Sequence, residues 1–236
     1  MEARWKGASA EEVFSYAFSG VQKLDELEAH TLIGMMNGYW DHYGDKDNMV
    51  SVTYPEVEFN RPMSASRSFI DAGKIDGLCR LNDGRLALIE HKTTSDSVEP
   101  DSDYWTRLRF NPQILQYVAA ARSLKWDVEL VVYDVARKPS IRPKTIDVLD
   151  QYGVKIVLDR DGNRVMKKDG TPRTTGSEAD GYTVQQKLET PEEFGERLHA
   201  DCKARPEFYF ARREVPILDD LMEEFEQQRV AVGRMI

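Results

Sequence analysis

Gly73-Lys74-Ile75-Asp76-Gly77-Leu78-Cys79-Arg80-Leu81-Asn82-Asp83-Gly84-Arg85-Leu86-Ala87-Leu88-Ile89-Glu90-His91-Lys92 is the stretch that decides the fold. Ser68 to Arg80 reads as one strand, Leu81 to Arg85 carries the Asp-Gly hairpin signal, and Leu86 to Lys92 reads as a short, mainly apolar strand. The two strands should lie antiparallel, side by side. Strand side chains alternate with a period of two, so Glu90 and Lys92 project to one face while His91 points away. The hairpin brings Asp76 toward Glu90 on that face.

Two carboxylates that close repel unless a proton or a cation intervenes, and a hard divalent ion with oxygen ligands, such as Mg²⁺, resolves the conflict. The backbone carbonyl of His91 lies between the two side chains and offers a further oxygen ligand. A centre of this kind suits phosphodiester hydrolysis, because it orients and acidifies a water while neutralising the phosphate. Lys92 would hold or polarise that water and stabilise the transition state. Taken alone, a D…E-x-K pattern on a hairpin is most often a solvated charged face. The context argues otherwise: Glu90 and Lys92 end an otherwise apolar strand, where charge is costly to bury unless paired or metal-bound.

Working outward, Ala10 to about Tyr43 repeats its apolar residues at helical spacing, as two helices broken near Ser19-Gly20, the second ending around Gly44-Asp45. Val50 to Phe59 reads as a strand. Beyond the hairpin, a polar loop from Thr93 to Asp103 precedes a helix from about Asn111 to Leu124, with Pro112 at an early position that tolerates it. Asp127 to Val135 is a further buried strand. The strand, helix, strand order predicts an α/β fold with a mixed central sheet of about four or five strands flanked by helices. Ala136 to Thr190 is charged and weakly periodic, with turn-like stretches at Asp159 to Asn163 and Lys167 to Pro172, and reads as an excursion with partial order. Thr190-Pro191-Glu192-Glu193 is a helix start. The whole reads as one domain, core about 50–139, with N-terminal helices and a C-terminal extension.

The 236 residues carry a net charge of -9, 41% hydrophobic and 31% charged residues, and no apolar run near the length of a membrane-spanning helix. No membrane partner is expected. Met1 to Lys6 lacks an apolar signal region, which makes the cytoplasm the expected location. Cys79 and Cys202 are too few and too far apart for a disulfide framework or a four-cysteine metal site. The acidic balance is awkward for a nucleic-acid enzyme, since affinity for phosphates usually rests on a basic footprint. Metal-holding carboxylates contribute to that total, however.

Gly73-Lys74-Ile75-Asp76, then Glu90-His91-Lys92-Thr93, then Gln113-Ile114-Leu115-Gln116-Tyr117 together resemble the PD-(D/E)xK nuclease superfamily, and within it the RecB-like, phage-type exonuclease branch. The likeness covers roughly Tyr54 to Pro139. It implies a restriction-endonuclease-like core and a DNA exonuclease dependent on Mg²⁺ or Mn²⁺, acting in recombination, repair or phage DNA metabolism. Asp76 and Glu90 would bind metal with the His91 carbonyl, Lys92 would act on water and phosphate, and Gln113 and Tyr117 would border the site. DNA is the implied partner, with a recombinase or other recombination protein as a second. Trp105, Arg107, Arg109 and Phe110 offer an aromatic and cationic surface suited to single-stranded or frayed DNA.

One family element has no clear counterpart. RecB-like members carry an upstream Gly-x-x-x-His helix whose imidazole joins the metal. Gly38-Tyr39-Trp40-Asp41-His42 has the spacing but stands close to the first strand, Gly195-Glu196-Arg197-Leu198-His199 comes too late in the chain, and His30 lacks the glycine. Either His42 or His30 serves in an altered site, or the chain begins after the family's histidine-bearing helix, which is the preferred reading and makes Met1 an internal or trimmed start. The alternative function is a catalytically weak nuclease-fold module that binds DNA or protein.

Overall fold

Leu86 to Ile89 and Leu130 to Tyr133 are apolar without alternation, the pattern of strands covered on both faces. The structure, a computed structural model, describes residues 24–44, 50–62 and 70–235, and makes these two runs the parallel centre of a sheet. Its elements in chain order are α1 (Glu26–Tyr43), β1 (Val50–Pro62), β2 (Ile70–Leu81), β3 (Leu86–Thr94), α2 (Asp103–Arg109), α3 (Pro112–Ser123), β4 (Leu130–Arg137), β5 (Thr145–Asp147), β6 (Val157–Leu158), β7 (Thr183–Val184), β8 (Gln186–Leu188), α4 (Pro191–Ala204), α5 (Pro206–Tyr209), β9 (Phe210–Pro216) and α6 (Asp219–Met235). The central sheet has five strands in the order β1-β2-β3-β4-β9. β3 and β4 are parallel and the other pairings antiparallel, so the sheet is mixed and the chain α/β, as the patterning implies.

Burying a Val or Leu side chain fully is worth roughly 1.5–3 kcal/mol, so the centre of the sheet carries much of the fold's stability. Leu88, Val131, Tyr133 and Val135 pack under Ile114, Leu115 and Val118 of α3 and Trp105 and Leu108 of α2. On the opposite face α1 and α4 meet. Gly34 and Gly38 of α1 let the helices approach closely: a Cβ on Gly34 would lie 2.6 Å from the Gly195 carbonyl oxygen, and one on Gly38 2.3 Å from the Cβ of Cys202. Among the described residues no helix is long and apolar enough to cross a membrane.

The boundaries read from sequence shift in places. α2 occupies Asp103–Arg109, where the sequence shows no full period, and β4 begins at Leu130 rather than Asp127. The helix expected from Ala10 and its break at Ser19-Gly20 lie outside the described residues, as does Ser68. Residues 138–190 are ordered through turns and short strands, and the turn-like stretches at Asp159 to Asn163 and Lys167 to Pro172 are turns. Four turns follow one another, each closed by a glycine N–H bonded to the carbonyl three residues back: Gly153 to Asp150, Gly162 to Asp159, Gly170 to Lys167 and Gly181 to Glu178. All four glycines hold left-handed φ, from 73° to 84°, which a side chain would resist. The strands between the turns are two or three residues long, too short to show a period in sequence. Thr190 and Glu193 then form a reciprocal capping box that starts α4.

Candidate active site

Glu90 is 2% exposed, at the middle of β3, where the apolar run Leu86 to Ile89 gives way to His91, Lys92 and two threonines. Its Oε1 accepts from the Lys92 ammonium two residues on, as the strand period requires. Lys92 Nζ also donates to Gln113 Oε1 at 3.1 Å, and Gln113 Nε2 donates to the Tyr117 hydroxyl at 3.0 Å. The structure thus joins Glu90, Lys92, Gln113 and Tyr117 in one hydrogen-bonded line. The second Glu90 oxygen, Oε2, is buried and accepts no hydrogen bond among the described residues. Burial pushes the Glu90 carboxyl above the usual glutamate range, and the nearby Asp76 adds to this against the opposing Lys92.

Asp76 stands where two ladders lapse. The β2–β3 register ends at Gly77 opposite Ile89, and on the other side Glu56 takes φ 53°, between the Pro55–Gly77 and Val57–Ile75 pairs. A non-glycine residue in that conformation inside a strand is an irregularity of the kind that clusters at sites. The lapse turns the Asp76 carboxylate toward β3, where Oδ2 accepts from the His91 amide at 3.3 Å.

The helical residues are placed by local chemistry. Asn111 caps α3 by accepting from the Gln113 amide at 3.0 Å, and Pro112 fixes the first helical position, so Gln113 is held in the first turn. Tyr117, four residues on, shares its face. Its ring meets Phe59 edge-on, with centroids 6.0 Å apart. Phe59 in turn fills the space above Gly73, where a Cβ would lie 2.8 Å from the Phe59 Cζ. The glycine of the Gly-x-Ile-Asp stretch therefore has a packing reason.

His91 projects to the opposite face, with Nδ1 3.6 Å from Asp134 Oδ2, and burial lowers its pKa. Asp134 also accepts from the Tyr39 hydroxyl at 2.6 Å and from Arg212 at 3.2 Å, which ties α1 and β9 to β4. The two Gly-x-x-x-His stretches are explained by helix packing. Gly38 and Gly195 serve the α1–α4 contact, His199 Nε2 pairs with Asp41 Oδ2 at 2.9 Å, and His42 packs against Tyr43 and Phe210.

The surface expected around Trp105 is corrected. Trp105 is 5% exposed, its indole N–H is bonded to the carbonyls of Val98 and Glu99, and Arg213 covers its ring. It is a core residue, unavailable for stacking on a base. Arg107 is paired with Asp96, leaving Arg109 and Phe110 exposed. Two features escaped the sequence reading. Tyr133 sits opposite Glu90 in the β3–β4 register and donates to the Leu108 carbonyl at 2.9 Å. Asp71 is a second buried carboxylate, gripped by Arg61, Arg229 and Gln116. Gln116 lies three residues from Gln113 on the same helix, and Arg61 faces Asp71 across the β1–β2 pair ten residues away, both local signals; Arg229 comes from the far end of the chain and gave none.

Among the described residues no three His, Cys, Asp or Glu side chains converge as a metal cage. The donors present are the Asp76 and Glu90 carboxylates, one with a bare buried oxygen. That oxygen fits a hard divalent cation, whose charge would offset the crowding of two acids. Comparison of the chain with protein-family models and with curated protein sequences finds no match.

Proposed function

We propose that the chain is a Mg²⁺- or Mn²⁺-dependent deoxyribonuclease of the PD-(D/E)xK type, degrading DNA from an end. The observation that carries this reading is the bare, buried Oε2 of Glu90 beside Asp76, with Lys92 tethered to Glu90 on the same strand. Asp76, Glu90 and the His91 carbonyl would hold the cation, which supplies charge neutralisation at the phosphate and acidifies a water. Lys92 contributes a fixed positive charge where the pentavalent phosphate gains negative charge. Gln113 holds the Lys92 ammonium from the α3 side, and Tyr117 holds Gln113. These residues arrive from β2, β3 and α3, elements seated on one core, so the constellation is preorganised.

A second reading, a weakly catalytic module of the same fold that binds DNA or a recombinase, draws on the Lys92–Glu90 contact, which occupies an oxygen that a cation would otherwise use. The deciding experiment incubates linear and closed circular DNA with Mg²⁺, Mn²⁺ or chelator, beside Lys92→Ala. Metal-dependent loss of linear DNA alone, abolished by the substitution, is the expected result. Cutting of closed circles would make the protein an endonuclease, and no cleavage by a folded protein would overturn the enzymatic reading.

A further inference from the structure

Residues 138–189 hold ten lysines and arginines against eight acids, a net of +2 in a chain whose total is -9. This is the run of four turns, and its strands pair with one another and with none of the central sheet. It is nonetheless an ordered arm, folded around Val157, which is fully buried.

The root of the arm is pinned beside the candidate site. Lys138 N donates to the Thr94 carbonyl at 2.7 Å, two residues beyond Lys92. The returning strand, β8, is followed at once by Glu189, which is 6% exposed. Arg197 of α4 grips both its oxygens, at 2.6 and 2.7 Å, and donates to the Arg142 carbonyl at 2.8 Å. Lys144 N closes the same knot on Glu189 Oε2 at 3.0 Å.

Within the arm, acids and bases are used differently. Asp150 accepts from the amides of Tyr152 and Val154 and from Arg164, Asp159 from the amides of Asp161 and Asn163, and Asp169 from Thr171. Lys155 and Arg173 pair with Asp147 and Asp180. The turn acids are thus largely spent on folding the turns. Arg160, Lys167 and Lys168 stand exposed at the second and third turns with no ion pair among the described residues; Asp159 and Asp169 share those turns, turned onto their own turn amides, and Asp161 is the exposed acid there whose carboxylate closes no turn. Tyr152, 80% exposed, and Met166, 49% exposed, lie on neighbouring turns.

We propose that this arm is a phosphate-backbone grip that holds DNA alongside the candidate site. The inference rests on the nuclease reading for its ligand. An acidic protein needs a local basic footprint to approach a polyanion, and the pinned root lets the arm hold a strand in fixed relation to Lys92. It takes the phosphodiester backbone, with no sequence readout.

The test measures binding of a labelled 30-base-pair duplex and of the matching single strand to the full chain in chelator, across salt concentrations, beside Arg160→Gln/Lys167→Gln/Lys168→Gln. Wild-type affinity should fall steeply with salt. The variant should bind at least about tenfold more weakly at low salt, with a log-log slope shallower by about 2–3, the loss expected for three phosphate contacts. Loss on the duplex alone assigns the arm to paired DNA, and loss on the single strand alone to a frayed end. Unchanged affinity and slope in a variant with an unchanged melting temperature, or no wild-type binding, overturns the proposal. Chelator separates the outcomes: the grip can stand while cleavage with Mg²⁺ fails, and the reverse.

Discussion

Asp71 near the start of β2 and Glu90 at the middle of β3 are both buried carboxylates of one sheet, 5% and 2% exposed. Asp71 is saturated: Oδ2 takes the Arg61 guanidinium at 2.9 Å and Arg229 at 2.6 Å, and Oδ1 takes Gln116. Burial alone would raise its pKa, but these donors outweigh burial and hold it below the usual aspartate range. Glu90 has one oxygen on Lys92, the other bare, an acid beside it, and a pKa displaced upward by burial. Burial therefore does not distinguish a site from a clamp. The difference lies in whether the buried charge is already answered.

The largest effect should come from answering Glu90 artificially. In Glu90→Gln, metal-dependent cleavage should drop by at least about 1,000-fold, equivalent to about 4 kcal/mol of transition-state stabilisation. The melting temperature in chelator should hold or rise, because an ion that costs free energy to bury has been replaced by a neutral amide. Millimolar Mg²⁺ should raise the wild-type melting temperature, since a ligand of the folded state stabilises it, and leave the variant unmoved. A Mg²⁺ response of equal size in both proteins would remove Glu90 from the metal-holding set.

Asp71→Asn should do the opposite. It leaves Arg61 and Arg229 without their shared anion, and the expected cost is about 3 kcal/mol. Cleavage per folded molecule should stay near wild type. Because the folded-state pKa is depressed, the contribution of Asp71 is present above the unfolded aspartate value near 4 and is lost as pH falls through the lower folded value. Chemical denaturation from pH 6 down to pH 3 should show a smaller acid-side loss in the variant. Equal slopes would mean that the clamp is not what Asp71 provides.

Gly73 lies on β2 between the clamp and Asp76, and tests whether the two regions are independent. Ala at 73 would press on Phe59, which is 4% exposed and rests on Tyr117. Overpacking of this kind costs about 1–3 kcal/mol. The displacement should reach the site through Tyr117 and Gln113, so that cleavage falls in Gly73→Ala and recovers when Phe59→Leu is added. Recovery of stability without recovery of cleavage would confine Gly73 to packing.

Much of the sheet was readable in sequence because its strands obey simple periods: the Asp83-Gly84 turn, the alternation that pairs Glu90 with Lys92, and the Asn111-Pro112 start of α3 are all local signals. The four-residue spacing of Gln113 and Tyr117 was local too. What stayed hidden depends on distant partners. Nothing near Trp105 in sequence announces that Arg213, from β9, covers its ring while the loop carbonyls of Val98 and Glu99 take its N–H, so it looked like a binding surface. The glycines of the two Gly-x-x-x-His stretches resembled a metal motif because close helix packing and a histidine-bearing helix both place small residues at one-turn intervals. The arm was legible in part: its turns at Asp159 to Asn163 and Lys167 to Pro172 carry Asp-Gly signals, but the pairing between the short strands leaves no hydrophobic period to read.

The smallest effect should be that of Gln113→Ala. Lys92 keeps its bond to Glu90 and loses only the restraint from α3, so the ammonium remains near the phosphate with more freedom. Cleavage should fall about tenfold, or about 1.4 kcal/mol. The melting temperature should move little, because Gln113 is exposed and its amide remains capped by Asn111. The comparison with Lys92→Ala locates where the site ends. A loss as deep as that of Lys92→Ala would mean that Gln113 touches the substrate itself. No loss at all would mean that Glu90 alone fixes Lys92, and the hydrogen-bonded line to Tyr117 would then belong with the Asp71 clamp as part of the scaffold.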